Sequence, residues 1–142
     1  ISIFELREVL EGLTARRAAT HITDPQIDQL QQFFHPFRQT PEIRDYRSYS
    51  QEDRRFHTFV IQIGAKEFLR SILETYNIIS FSYQVVSSEG LVRSPNETLG
   101  EHLAVIEAIS DRDPEAAETL MRSHFKKSAA SLMRDAAKLR PI

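Results

Sequence analysis

Apolar residues at three- and four-residue spacing run through long segments of this chain, and that pattern constrains the fold most. Only four of the 142 residues are glycine, and the two-residue alternation typical of strands is scarce. The first such segment predicts a helix from about Ile3 to Ala19, with Leu6, Leu10 and Leu13 on one stripe. The pattern indicates an all-α fold, and the short connections favour antiparallel neighbours in one bundle.

Local start and stop signals divide the chain into helices. Thr23-Asp24-Pro25 is a capping residue followed by proline, so a second helix should start there, carry Phe34 inward and end near His35-Pro36. A third helix from about Tyr46 should end at Gly64, because glycine accepts the positive φ of a helix C-terminus. By similar signals the remaining helices are expected over about Lys66 to Val86, from Ser94-Pro95-Asn96-Glu97 and from Asp113-Pro114.

Composition narrows the class of protein. The chain is 41% hydrophobic and 27% charged, as in globular proteins, and its length suits a single domain with its own core. No apolar run approaches the roughly 18–20 residues of a membrane span, and no secretory signal is visible, so we expect a cytoplasmic protein without a membrane partner. The net charge of −2 is unlike that of a domain that binds duplex DNA.

The segment Asp53-Arg54-Arg55-Phe56-His57 lies within the third predicted helix. Residues four apart share a helix face, with Cβ atoms about 5–6 Å apart, so Asp53 and His57 can reach one metal ion. His102 and His124 lie on the apolar stripes of the last two predicted helices. Polar side chains that face the core cost free energy when they have no partner. A shared divalent ion would satisfy all four in the bundle core. Because the chain has no cysteine, only His, Asp and Glu are candidate ligands.

The spacing alone leaves a second interpretation open. The pair on the third helix can equally be a surface ion pair, and the two later histidines can be core residues bonded to carbonyls. His21 falls at a helix end and His35 precedes Pro36, so both are interpreted as surface or capping residues.

An ordered set of residues extends this pattern over nearly the whole chain. Its members are Glu5-Leu6-Arg7, Leu10-Glu11, Asp53-x-x-Phe56-His57, Glu101-His102, Ala108-Ile109, Asp113, Ala117, Met121 and His124. The set resembles the FCD domain, which is the C-terminal effector-binding domain of one branch of GntR-type bacterial transcription regulators.

The resemblance implies an antiparallel bundle of about six or seven helices around a cavity that holds a divalent metal. Small organic acids bind beside the metal in many members, and an arginine of the first helix, here Arg7, can assist. The family's Gly-Asn after the third helix is replaced by Ala65-Lys66, which leaves the geometry of that turn open. The ligands implied by the resemblance are Asp53, His57, His102 and His124.

Whole members of the family carry an N-terminal winged helix-turn-helix that this sequence lacks. The chain opens on Ile1 rather than Met, directly in helical periodicity, so we expect a fragment. Operator DNA should then be bound through the missing domain. We expect a homodimer, because a pair of DNA-binding domains needs two-fold symmetry. The expected function is ligand sensing by a regulator and not enzymatic catalysis.

The ligand set predicts what the site binds. A divalent ion with one carboxylate and three neutral imidazoles keeps roughly one positive charge, which favours an anion. We expect a small carboxylate effector on the metal, with a hydroxyl or second carboxylate that reaches Arg7. Alternatively Arg7 pairs with Glu11, and Tyr76 and Tyr83 are either effector contacts or core residues. Zinc is the expected ion, with nickel, manganese and iron as alternatives.

Two other functions are compatible with the residues. A metal-dependent hydrolase needs an open metal position and a general base. Glu101 is the one evident base, although its place beside His102 directs it about 100° away around the helix. A helical interaction module without a ligand would leave the inward polar residues unexplained.

Overall fold

A computed structural model describes residues 3–75 and 91–138. No strand occurs in either described segment, so the predicted all-α fold is confirmed. The predicted fourth helix beyond residue 75, with Tyr76 and Tyr83, lies outside the described residues. The helices are α1 (Ile3–His21), α2 (Asp24–Leu30), α3 (Tyr46–Gly64), α4 (residues 67–75), α5 (Pro95–Ser110) and α6 (Pro114–Lys138), with a 3₁₀ helix at His35–Phe37.

Helix α1 is the central helix of the bundle and contacts α3, α5 and α6. It runs antiparallel to α6. Near the end of α1, Arg16 Nε lies 2.6 Å from Glu118 Oε1, and near its start Phe4 packs against Phe125. Because α1 is covered on several sides, its buried residues continue along the helix as far as Ala19.

Helix α2 is shorter than predicted. It begins after Thr23, which forms the predicted capping interaction, but it ends at Leu30 rather than near His35. Phe34 instead adopts a left-handed backbone with φ of 64°, and its N–H donates to Glu52 Oε2 at 2.9 Å. This turn places the Phe34 ring in the core with no exposed surface. Burial of a large ring therefore overrides the helical pattern here.

Gly64 ends α3 as predicted, but the physical reason is different. Its φ is not positive, and a Cβ atom on it would lie 2.1 Å from the Thr14 carbonyl oxygen and 2.9 Å from the Ala18 amide nitrogen. Glycine is required because the backbones of α1 and α3 touch at this point. The same close approach lets Arg17 Nε donate to the Gly64 carbonyl at 2.8 Å.

The last two helices begin where their start signals predict. Ser94 is the N-cap of α5, although its hydroxyl contacts the Glu97 side chain and makes no backbone cap. Asp113 Oδ1 accepts from the backbone N–H of Ala116 at 3.1 Å in the first turn of α6. None of the helices within the two described segments has the combined length and apolar character that crossing a membrane requires.

Candidate metal centre

The four residues predicted as ligands come from three helices and meet inside the bundle. Asp53 and His57 lie on α3, His102 on α5 and His124 on α6. Asp53 Oδ1 is 3.1 Å from His57 Nε2 and 3.0 Å from His102 Nε2. The ring centroids of His102 and His124 are 4.6 Å apart. One nitrogen from each histidine lies within 4.8 Å of the others, so the three can hold a metal ion together.

Two atoms at the middle of this group are buried without a hydrogen-bond partner, Asp53 Oδ1 and His102 Nε2. They lie 3.0 Å apart, yet the geometry is not that of a hydrogen bond. A buried polar atom left unpaired costs about 1–3 kcal/mol. Neighbouring ligands of one ion, with bonds of about 2.0–2.2 Å, lie roughly 3.0–3.5 Å apart. The side chains therefore fit a shared divalent ion better than a surface ion pair.

The other nitrogen of each histidine has a defined partner. In His57 and His124 the Nδ1–H group donates to a carboxylate. In His102 it can donate to the hydroxyl of Tyr49, which in turn donates to Thr98 Oγ1 at 2.8 Å. Partners of this kind fix the ring orientation and leave Nε2 directed at the metal position. The three bonds join His57 Nδ1 to Glu11 Oε1 at 2.9 Å, His102 Nδ1 to the Tyr49 hydroxyl at 2.8 Å, and His124 Nδ1 to Glu101 Oε1 at 2.8 Å.

The charges in the group follow from its burial and its neighbours. Burial lowers the pKa of His102, and it lowers the pKa of His124 to about 4, so both rings are neutral. Burial also opposes charge on Asp53, but the adjacent histidines hold its pKa well below the ordinary value. At His57 burial favours the neutral ring, but Glu11 and Asp53 outweigh it and raise the pKa to about 9. The centre thus contains the deprotonated ligands that a metal needs, except at His57.

Of the two interpretations of Arg7, the structure shows the pairing with Glu11, and the role in effector binding stays a prediction. Its Nε lies 2.6 Å from Glu11 Oε2, as an i,i+4 pair. Its guanidinium also stands over the rings of Phe125 and Phe4, at 4.6 and 5.4 Å from their centroids. The same side chain lines the pocket that contains the four predicted ligands. Its pairing with Glu11 and its place beside the metal position are compatible.

Comparison with known proteins identifies the family. Residues 2–127 match the FCD domain. The chain belongs to the FCD domain family. Among similar proteins, the HTH-type transcriptional repressor RspR of Escherichia coli K12 is 28% identical over 134 residues, which are 89% of this chain and 55% of the relative. The HTH-type transcriptional repressor NanR of Klebsiella aerogenes is 28% identical over 128 residues, 89% of this chain and 48% of the relative. The chain thus spans about half the length of these relatives.

The hydrolase alternative does not fit this FCD domain. Its relatives are named as transcriptional regulators, and the proposed base is fully engaged. Arg93 donates to both oxygens of Glu101, at 2.8 and 2.6 Å. Burial would raise the pKa of Glu101, but the hydrogen bonds from Arg93 and His124 outweigh it and lower the pKa to about 2. A carboxylate of such low basicity is a poor general base near neutral pH. The geometry therefore does not support Glu101 as the general base of a hydrolase.

The sequence pattern did not reveal four residues that support the histidines of the metal centre: Glu11, Tyr49, Arg93 and Glu101. Glu11 was assigned only to Arg7, although it reaches across to α3. Arg93 precedes a helix and belongs to no periodic stripe, so no local signal marks it. The exposed positions of His21 and His35 agree with their prediction as surface residues.

Proposed function

We propose that this chain is the ligand-sensing domain of a bacterial transcription regulator. It binds one divalent ion through Asp53, His57, His102 and His124, and a small carboxylate effector binds beside that ion. The observation that carries the proposal is the convergence of these side chains around two buried atoms, Asp53 Oδ1 and His102 Nε2, that have no hydrogen-bond partner. Three imidazoles and a carboxylate suit zinc first, with nickel, manganese and iron as alternatives.

The charge balance of the pocket supports an anionic effector. Two glutamates beside the centre are each paired with an arginine, the buried Glu11 with Arg7 and the partly buried Glu101 with Arg93. These pairs cancel, so a divalent ion with Asp53 keeps roughly one positive charge in a water-poor site. When bound, the ion supplies this charge and an open coordination position. The chain's own residues orient the histidines and exclude solvent.

The size and the lining of the pocket also limit which effector can bind. The cavity around the centre is small, about 60 Å³. Phe4, Leu91 and Phe125 line it together with Arg7. We infer a small acid with a hydroxyl or a second carboxylate. One end sits at the metal, and the other pairs with the Arg7 guanidinium through parallel hydrogen bonds.

Signalling requires parts of the protein beyond this chain. The relatives are named as HTH-type regulators and are about twice as long as the matched segment. We propose that operator DNA is bound by another domain of a homodimer and that effector binding shifts the helices around the centre. Such a switch works only if the effector binds one arrangement more tightly than the other.

Metal content tests the ligand assignment. We expect about one divalent ion per chain in protein purified without added metal, and loss of that ion in a His102→Ala/His124→Ala double variant. A His21→Ala/His35→Ala double variant removes two exposed histidines and is the matched control. Equal metal content in the two double variants, measured by elemental analysis, would refute the assignment.

Calorimetry of metal-saturated protein tests the effector class. Organic acids should bind and their uncharged amides should not, because only the acids are anionic. Arg7→Ala should weaken binding of the acid by about 1.5–3 kcal/mol, the range for hydrogen bonds to charged groups. Amides that bind as tightly as the acids, or binding that survives removal of the metal, would contradict the proposal.

A further inference from the structure

Two of the three histidines in the centre each contact the glutamate of an arginine–glutamate pair, here called an outer pair. The pair Arg7–Glu11 is buried and the pair Arg93–Glu101 is partly buried. In the first outer pair, Arg7 Nε lies 2.6 Å from Glu11 Oε2, and Glu11 Oε1 accepts from His57 Nδ1 at 2.9 Å. Arg7 is 7% exposed and Glu11 is 1% exposed. The pair stands on α1, yet it orients a ring on α3.

The second outer pair, Arg93–Glu101, is built in the same order. Arg93 donates two hydrogen bonds to the Glu101 carboxylate, at 2.8 and 2.6 Å, and Glu101 Oε1 accepts from His124 Nδ1 at 2.8 Å. The Arg93 guanidinium also donates to the His124 carbonyl and to Ser128 Oγ, both at 3.1 Å. Arg93 therefore links Glu101 on α5 to His124 and Ser128 on α6.

The third histidine provides an internal comparison. His102 Nδ1 contacts the neutral hydroxyl of Tyr49, which in turn contacts Thr98 Oγ1. No charged group takes part in that chain of contacts. The contribution of the charged outer pairs can thus be separated from that of a hydrogen bond alone.

Each member of an outer pair depends on the other. A carboxylate removed from water without a counter-charge carries a desolvation cost, so each arginine helps to keep its glutamate beside the histidine. At Glu101, which is 18% exposed, Lys127 Nζ adds a second and longer contact of 3.7 Å. Arginine also presents a rigid planar fork, which lysine lacks. A carboxylate that accepts from Nδ1–H makes the imidazole more basic at Nε2, and loss of such a partner typically lowers metal affinity about 10–100-fold.

We propose that Arg93 and Arg7 are positioning residues of the metal centre, each acting through a glutamate on one histidine. The inference rests on the proposed metal-binding function and adds to it that these two pairs set the affinity of the ion. Neither arginine touches the ion. Both arginines line the pocket, and Arg93 also donates to the His124 carbonyl and to Ser128 Oγ on α6.

Zinc affinity measured by competition with a chelator tests the inference. Glu11→Gln and Glu101→Gln keep the shape and an acceptor oxygen but remove the charge, so each should bind zinc about 10–100-fold more weakly. Arg93→Lys keeps the charge but loses the fork and should bind about tenfold more weakly. Tyr49→Phe should have a smaller effect. Glu118→Gln removes the charge from two partly exposed contacts, with Arg16 and Arg122, and touches no histidine; its zinc affinity should stay within about twofold of the parent.

Nitrogen NMR of histidine-labelled protein provides a readout that general destabilisation does not move. In the zinc-loaded parent chain His124 should show a protonated Nδ1 and a metal-bound Nε2. In Glu101→Gln and Arg93→Lys that signal should shift or broaden, while the signals of His57 stay in place. Circular dichroism of each metal-free variant verifies that it is folded, and Arg93→Lys remains informative if a glutamine variant does not fold.

The outcomes separate the inference from the function on which it rests. The inference would be wrong if folded variants of the outer pairs bound zinc within twofold of the parent chain and kept the same histidine signals. The proposed metal-binding function would not be affected by that result. A parent chain that binds no zinc would overturn both. An affinity loss in Glu118→Gln as large as that in Glu101→Gln would also overturn the inference, because the effect would then not depend on contact with a histidine.

Discussion

Replacement of Gly64 by alanine should test the contact that sets the distance between α1 and α3. A Cβ atom there would lie 2.1 Å from the Thr14 carbonyl oxygen and 2.9 Å from the Ala18 nitrogen. Both are backbone atoms, so neither can move by a change of rotamer. Helix α1 would have to shift by about 1 Å to restore ordinary contact, and overpacking of this kind costs about 1–3 kcal/mol.

Two other glycines in this chain provide matched controls. Gly100 lies exposed within α5 and a Cβ there would meet nothing within 4 Å, so Gly100→Ala should stabilise the protein by about 0.5–1 kcal/mol through helix propensity. A Cβ on Gly12 would lie 2.4 Å from Arg122 Cγ. Because that side chain is flexible and partly exposed, Gly12→Ala should fall between the other two.

Urea denaturation with a chelator present measures these differences without the contribution of bound metal. The expected order of unfolding free energy is Gly100→Ala, parent, Gly12→Ala and Gly64→Ala, from most to least stable. Zinc affinity should fall in Gly64→Ala as well, because the shift of α1 moves Glu11 away from His57. A Gly64→Ala protein as stable as Gly100→Ala would refute the close-contact explanation.

Three further predictions concern the histidines and their surroundings. Because Glu11 and Asp53 outweigh burial and raise the pKa of His57 to about 9, above its ordinary 6.5, the metal-free protein should lose stability as pH rises from about 6.5 to about 9. Denaturation at several pH values measures this, and stability that increases over that range would contradict it. For the same reason zinc binding near pH 7.5 should release about one proton; binding heats that do not depend on the ionisation enthalpy of the buffer would argue against it. Phe34→Ala should cost about 3–5 kcal/mol, since the ring is fully buried and stacks on His102 at 4.7 Å; a loss below about 1 kcal/mol in urea denaturation would show that the site collapses around the missing ring.

The sequence alone determined the features that depend on neighbours along the chain. Helical periodicity predicted an all-α fold because residues three and four apart share a face, and capping residues with proline marked where α2, α5 and α6 begin. The Asp53/His57 pair was visible for the same reason. His102 and His124 were candidates because they lie on the apolar stripes of their helices, and the resemblance to the FCD domain then joined them to that pair.

Only the tertiary structure decided the features that depend on how helices cross. Arg7 and Glu11 are an evident i,i+4 pair, but the contact of Glu11 with His57 exists because α1 and α3 touch at Gly64. The early end of α2 at Leu30 and the turn at Phe34 likewise follow from a pocket that distant residues form. Local rules describe a backbone and its nearest side chains, whereas packing free energy is gained between segments far apart in sequence. The ends of helices and the partners of buried charges are therefore the features that the sequence predicted least well.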